Sequence, residues 1–172
     1  MEEGPKLNIN RKILIFFLSC LICICAQAQC TKISDTQVNP PQTFSGYFLS
    51  EKEWGPPNFG ESPKTDSQFT ALLLKLDKPL EVCSSGDNST DAITVRCIQV
   101  LDAACTPWNT TLYSQHVNVY GALSVATGPA QITPITINCE EHNYTGSPLI
   151  PKAVAQLKSY RCPETVSSRV FP

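Results

Sequence analysis

At 172 residues the chain is long enough for one domain with appendages, and 42% apolar residues allow a core. A formal charge of −2 argues against a nucleic-acid or anionic-membrane partner held by bulk charge. Fourteen prolines against eight glycines point to fixed loops rather than flexible linkers.

Residues 1–28 read as a signal peptide. Lys6, Arg11 and Lys12 precede an apolar run from Ile13 to Cys25, and Ala26-Gln27-Ala28 supplies a small-residue cleavage pattern before Gln29. The run is too short to span a bilayer comfortably, so it reads as a cleaved signal rather than a retained anchor. The expected location is secreted or periplasmic, with no membrane contact after cleavage. Removing three bases and two acids with the signal moves the charge from −2 to −3. Cys20, Cys23 and Cys25 leave too. Cys30, Cys83, Cys97, Cys105, Cys139 and Cys162 remain, an even number that reads as three disulfides in an oxidising compartment. The connectivity is open on sequence. The expected pairs are Cys83–Cys97 between adjacent strands, Cys30–Cys162 between the termini, and Cys105–Cys139 from a crossing to the last strand.

Residues 29–42 form an extended polar lead-in ending in Asn39-Pro40-Pro41, which stops any helix. Thr43 to Glu51 is the first strand candidate, with Phe44, Gly46 and Phe48 on one face and Tyr47 and Leu49 on the other. Trp54-Gly55-Pro56-Pro57-Asn58-Phe59-Gly60 is a stiff loop with aromatics at each end. Phe69 to Leu76 is the most apolar run of the mature chain, a buried strand or a short helix. Asp77-Lys78-Pro79 ends it after eight residues, which favours a strand, and Leu80 to Cys83 continues as an edge. Ala92 to Leu101 alternates as a further strand. Asp102 to Tyr113 is a connection in which Pro107 and Thr110-Thr111 oppose a long helix.

His116 to Ser124 is the central strand, with Val117, Val119 and Gly121 on one face and Asn118, Tyr120 and Ala122 on the other. A glycine inside a strand costs stability unless a bend or a close backbone approach needs it, as at the corner of a small curved barrel. Pro134 to Cys139 is a short last strand. Residues 140–172 form an extension with one short helix, Pro151 to Tyr160, bearing Ala153, Val154, Leu157 and Tyr160 on one face. The fold expected over 43–139 is a mostly β, OB-like Greek-key barrel of five to six strands, disulfide-stabilised; a small sandwich is the alternative.

No catalytic constellation stands out. His116 and His142 are the two histidines of the chain, and the cysteine spacing holds no close pair of the kind zinc sites use. Neither a metal nor a cofactor is expected. Asp77, Asp87, Asp91 and Asp102 lie at strand ends or turns, where aspartate serves the backbone. Trp54, Asn58, Phe59 and Trp108 are the candidate ligand-binding residues, because aromatics on stiff loops stack on sugars or rings. The plainer reading makes those aromatics lids over the barrel ends. Asn88, Asn109 and Asn143 head N-glycosylation acceptor triplets, meaningful in a eukaryotic secretory host, and all three are expected in loops.

Several segments resemble a known family. Gly55-Pro56-Pro57-Asn58-Phe59 is similar to a Gly-Pro-Pro-Asn-Tyr loop, and Leu74-Lys75-Leu76-Asp77-Lys78-Pro79-Leu80 to a Leu-x-Leu-Asp-Lys-Pro-Ile strand end. Ile98-Gln99-Val100, Val117-Asn118-Val119-Tyr120-Gly121-Ala122-Leu123, Thr127-Gly128 and Thr133-Pro134-Ile135 follow in the same order and spacing. These segments resemble motifs of the domain of unknown function 4431 family, and the resemblance covers about residues 43–139. It implies a compact β-domain in an exported protein, and implies no activity or catalytic residue. Where that family has a histidine run, this chain has Pro129-Ala130-Gln131-Ile132, so no metal or proton-transfer role carries over.

The leading functional expectation is an exported binding module without catalysis, contacting a protein or a small-molecule or saccharide ligand through the Trp54–Gly60 loop. The alternatives are an extracytoplasmic hydrolase using carboxylates near His116, and a secreted inhibitor or structural protein.

Overall fold

The structure is a computed structural model that describes residues 30–34, 39–84, 92–101 and 115–163. Six strands run in chain order: β1 Thr31–Ile33, β2 Gln42–Trp54, β3 Gln68–Ser84, β4 Ala92–Leu101, β5 His116–Val125 and β6 Ile135–Thr145. One helix follows, α1 Pro151–Ser159. The helix starts on Pro151, whose fixed φ and missing N–H cost nothing at that position.

The sheet closes on itself. β2 pairs antiparallel with β3 and β5, β5 with β6, and β3 with β4, while β4 and β6 pair in parallel. This is the five-stranded OB-like Greek-key barrel expected from the sequence, with β1 added in parallel along the edge of β3. The lead-in therefore carries a strand that its polar composition hid. Asn39 anchors the segment: it is buried, accepts from the Ser34 N–H and donates to the Leu123 carbonyl.

Alternation fills the interior. Phe44 and Phe48 from β2, Leu72, Leu74 and Leu76 from β3, and Val117, Val119 and Leu123 from β5 meet Ile135 and Ile137 of β6. The two strand-internal glycines are sites of close approach. A Cβ on Gly46 would lie 2.0 Å from the Lys75 carbonyl oxygen, and one on Gly121 would lie 2.2 Å from that of Asn138. Neither strand could coil this tightly with a side chain there.

Two irregularities change which side chains point inward. β3 does not stop at Asp77-Lys78-Pro79. It runs through them as a bulge, and its pairing with β4 resumes at Leu80 opposite Val95. Proline is tolerated because a bulge leaves its position without a ladder partner. In β6, Tyr120 pairs with Glu141 but Gly121 with Cys139, so Glu140 is one residue extra. The inward set switches there from Ile135, Ile137 and Cys139 to His142 and Tyr144, which contact Phe48 edge-on. β6 consequently runs six residues beyond the expected boundary at 139.

A second, smaller core lies outside the barrel. Leu49, Leu73 and Cys97 face outward from β2, β3 and β4, and Cys162, Leu157, Tyr160 and Ile132 cover them. The Cys97–Cys162 disulfide pins this cover, with 5.9 Å between Cα atoms. The Glu51 carboxylate accepts from the Cys162 N–H at 3.2 Å. The other described bridge is Cys30–Cys83, with 5.8 Å between Cα atoms, fastening β1 to β3.

Both pairings correct the sequence expectation. In the ladder Cys83 stands opposite Ala92 and Cys97 opposite Lys75. The two cysteines are thus separated by five residues of β4, roughly 15 Å along an extended strand, where a disulfide needs Cα atoms within about 7 Å. Cys30 is bonded to Cys83 near the end of β3, and Cys162 to Cys97 opposite Lys75 at the middle of β3, so the two do not pair. Cys139 is also disulfide-bonded. Cys105, its expected partner, lies outside the described residues.

Candidate functional site

The β2–β3 loop is ordered by one carboxylate. Asp66 Oδ1 accepts from the Asn58 N–H at 3.0 Å and from the Asn58 side-chain amide at 3.2 Å. Asp66 Oδ2 accepts from the Gly60 N–H at 2.8 Å and from the Ser62 N–H at 3.1 Å. Burial works to raise the pKa of this carboxyl, but the donors from Gly60, Asn58 and Ser62 together outweigh burial and hold it below the usual aspartate value.

The clamp sets the tip residues. Phe59 adopts a left-handed backbone, φ 51°, with its side chain 36% exposed. Asn58 is exposed beside it. Trp54 behaves differently. It is half-buried and folded against Gly60, where an added Cβ would come within 3.2 Å of the indole. Gly60 has φ 101°, so both backbone and space demand glycine. Of the four expected ligand-binding residues, the loop thus brings Asn58 and Phe59 to its surface and uses Trp54 as its own floor. Trp108 lies outside the described residues.

The β5–β6 loop is held as firmly. The Gln99 side chain accepts from the Ile132 N–H at 2.7 Å and donates to the Ala130 carbonyl at 3.1 Å. Thr133, buried, accepts from the Gln99 N–H and donates to the Ile135 carbonyl. β5 runs antiparallel to β2, with Gln42 opposite Gly121, so the β5–β6 loop leaves the barrel on the side where β2 starts and the β2–β3 loop on the side where β2 ends.

His116 stands at the start of β5, paired with Thr145 at the end of β6. Its Nε2 lies 2.6 Å from Asp77 Oδ2, and its Nδ1 lies 2.6 Å from Thr145 Oγ1. A carboxylate only accepts, so neutral His116 carries its proton on Nε2 and Nδ1 accepts from the threonine hydroxyl. The β3 bulge is what brings Asp77 there. Among the aspartates expected near His116, Asp77 alone belongs to the described residues; Asp87, Asp91 and Asp102 do not.

Asp66, Thr145 and Gln99 were not singled out from sequence, because each acts on backbone or side chains that only the fold brings near. Asn143, expected in a loop, lies exposed in β6. Asn88 and Asn109 fall outside the described residues. Among the described residues, no group of three or more His, Cys, Asp or Glu side chains is placed to hold a metal ion.

The class that these features define is a disulfide-bridged OB-like barrel with two rigid rim loops. No family model, curated protein or solved structure matches the chain.

Proposed function

We propose that this chain is an exported binding module without catalytic activity, whose contact surface is the β2–β3 loop around Asn58 and Phe59. One observation carries the reading. A bulky residue at φ 51° costs about 1–3 kcal/mol, and such strain is kept where the surroundings enforce it and the position has a use. Four hydrogen bonds to Asp66 enforce it here, and the ring they display is not used in the core. The similar Gly-Pro-Pro-Asn-Tyr loop of the domain of unknown function 4431 family also carries an aromatic at this place, and we read the chain as a disulfide-hardened variant of that family. Two disulfides among the described residues agree with a secreted or periplasmic location.

A photo-crosslinking residue at Phe59, compared with one at exposed Thr94 on β4, tests the reading in the native extracytoplasmic compartment. Adducts formed from position 59 and not from 94 support it. Equal adducts from both, or none from 59, reject it.

A second reading has its own observation. Thr145 hydroxyl, His116 and Asp77 form a hydrogen-bonded chain of nucleophile, base and orienting carboxylate, the arrangement a hydrolase uses. Hydrolysis of a p-nitrophenyl ester that falls to background in both Thr145→Ala and His116→Ala would favour it. Identical rates in wild type and Thr145→Ala would remove it.

A further inference from the structure

The outer face of β3 and β4, where OB barrels generally receive oligonucleotides or oligosaccharides, is closed in this molecule. Leu73 and Cys97 on that face lie under Leu157, Tyr160 and Cys162, and a covalent bond holds the cover in place. Lys75, which would otherwise offer a cation there, has its Nζ 5.2 Å from the Tyr160 ring centre. A ligand for the barrel wall must use another face.

The wall formed by β2, β5 and β6 has no such cover among the described residues and is built differently. Register places Thr43, Tyr120 and Glu141 in one row across the three strands, and Ser45, Asn118 and Asn143 in the next. These rows border a shallow depression of about 360 Å³, within the range of small-molecule sites of roughly 300–1,000 Å³. Tyr120 stands on the middle strand, 40% exposed. The polar groups around it are oriented but not exhausted. Ser45 donates to Asn118 Oδ1 at 2.7 Å, and Asn143 donates to Glu141 Oε1 at 3.0 Å. The Asn118 amide N–H groups and the Thr43 and Tyr120 hydroxyls have no partner among the described residues.

Charge narrows the occupant. Among the described residues, the lining holds one carboxylate, Glu141, and no lysine or arginine. Phosphate, sulfate or carboxylate ligands would face that carboxylate with nothing to neutralise them. A polar lining offers little to an apolar peptide or lipid. What fits is a ligand with one apolar ring face for Tyr120 and several neutral hydroxyls for flanking amides, hydroxyls and a carboxylate. We propose that the β2–β5–β6 wall is a binding site for a neutral oligosaccharide, with Tyr120 as the stacking platform and Asn118, Glu141 and Asn143 as hydroxyl partners. This site is separate from the β2–β3 loop and does not depend on that loop binding anything.

The test is an NMR titration of the mature protein, made in a host without Asn-linked glycosylation so that Asn143 is unmodified. The probes are four neutral hexasaccharides: β-1,4-linked glucose, N-acetylglucosamine and mannose, and α-1,4-linked glucose. Hexagalacturonate serves as an anionic comparison. At least one neutral probe is expected to bind at millimolar affinity or better, shifting amides in 43–45, 118–120 and 141–143. Tyr120→Ala should weaken that binding by about tenfold or more, Tyr120→Phe should retain it, and Phe59→Ala should leave it unchanged. Because Tyr120 is exposed, both variants should melt near the wild-type temperature; the wild-type shift map carries the test if Tyr120→Ala does not fold. Failure of all four neutral probes overturns the proposal. So does equal binding of hexagalacturonate, or a shift map centred on residues 55–67, the latter favouring the loop instead.

Discussion

Asp66 and Gly60 show how much a single position decides in the β2–β3 loop. Because the folded-state pKa of Asp66 lies below its unfolded value, its ionisation contributes stability that is fully present above about pH 4 and is lost as pH falls through the folded value. The loop should therefore loosen in acid before the barrel does. Trp54 fluorescence should report a transition below about pH 4 that is absent in Asp66→Asn, whose loop is already loosened at neutral pH. A neutral-pH spectrum of Asp66→Asn identical to wild type would refute this. Asp66 was not legible in the sequence, since an aspartate in a polar loop has many ordinary uses. Its four donors converge only once residues 58 to 62 have turned back on it.

The strands and helix depend on a few close contacts. Gly121→Ala puts a methyl 2.2 Å from the Asn138 carbonyl oxygen, a backbone atom that cannot swing aside. It should destabilise the barrel by about 3 kcal/mol or more, read as a fall in the urea midpoint, while Gly128→Ala, whose nearest neighbour is a side chain at 3.8 Å, should have little effect. Cys162→Ser removes the bridge that holds α1 and should cost about 2–4 kcal/mol. It should also expose Leu49 and Leu73, raising binding of a hydrophobic dye. An unchanged melting temperature in that variant would show that α1 is held by packing alone. The glycines were legible as strand breakers with a reason. The outward Leu49 and Leu73 were not separable from inward leucines, because a run apolar on both faces carries no alternation to read.

For the molecule as a whole, non-reducing peptide mapping should recover Cys30 linked to Cys83 and Cys97 linked to Cys162. Any peptide joining Cys83 to Cys97 would contradict the barrel register itself. Period-two apolar patterning within Thr43 to Cys139, broken by strand glycines, was enough to indicate a small β-domain, with a curved barrel preferred over a sandwich, because burial of alternate residues is a local property of extended chain. The same holds for the helix beginning at Pro151, where one residue's fixed geometry sets the start. Disulfide partners, the bulges at Asp77–Pro79 and Glu140, and the meeting of His116 with Asp77 and Thr145 were decided by tertiary structure. Each joins residues distant in the chain, and which of them meet depends on the register of closed strands, a quantity that no single segment encodes.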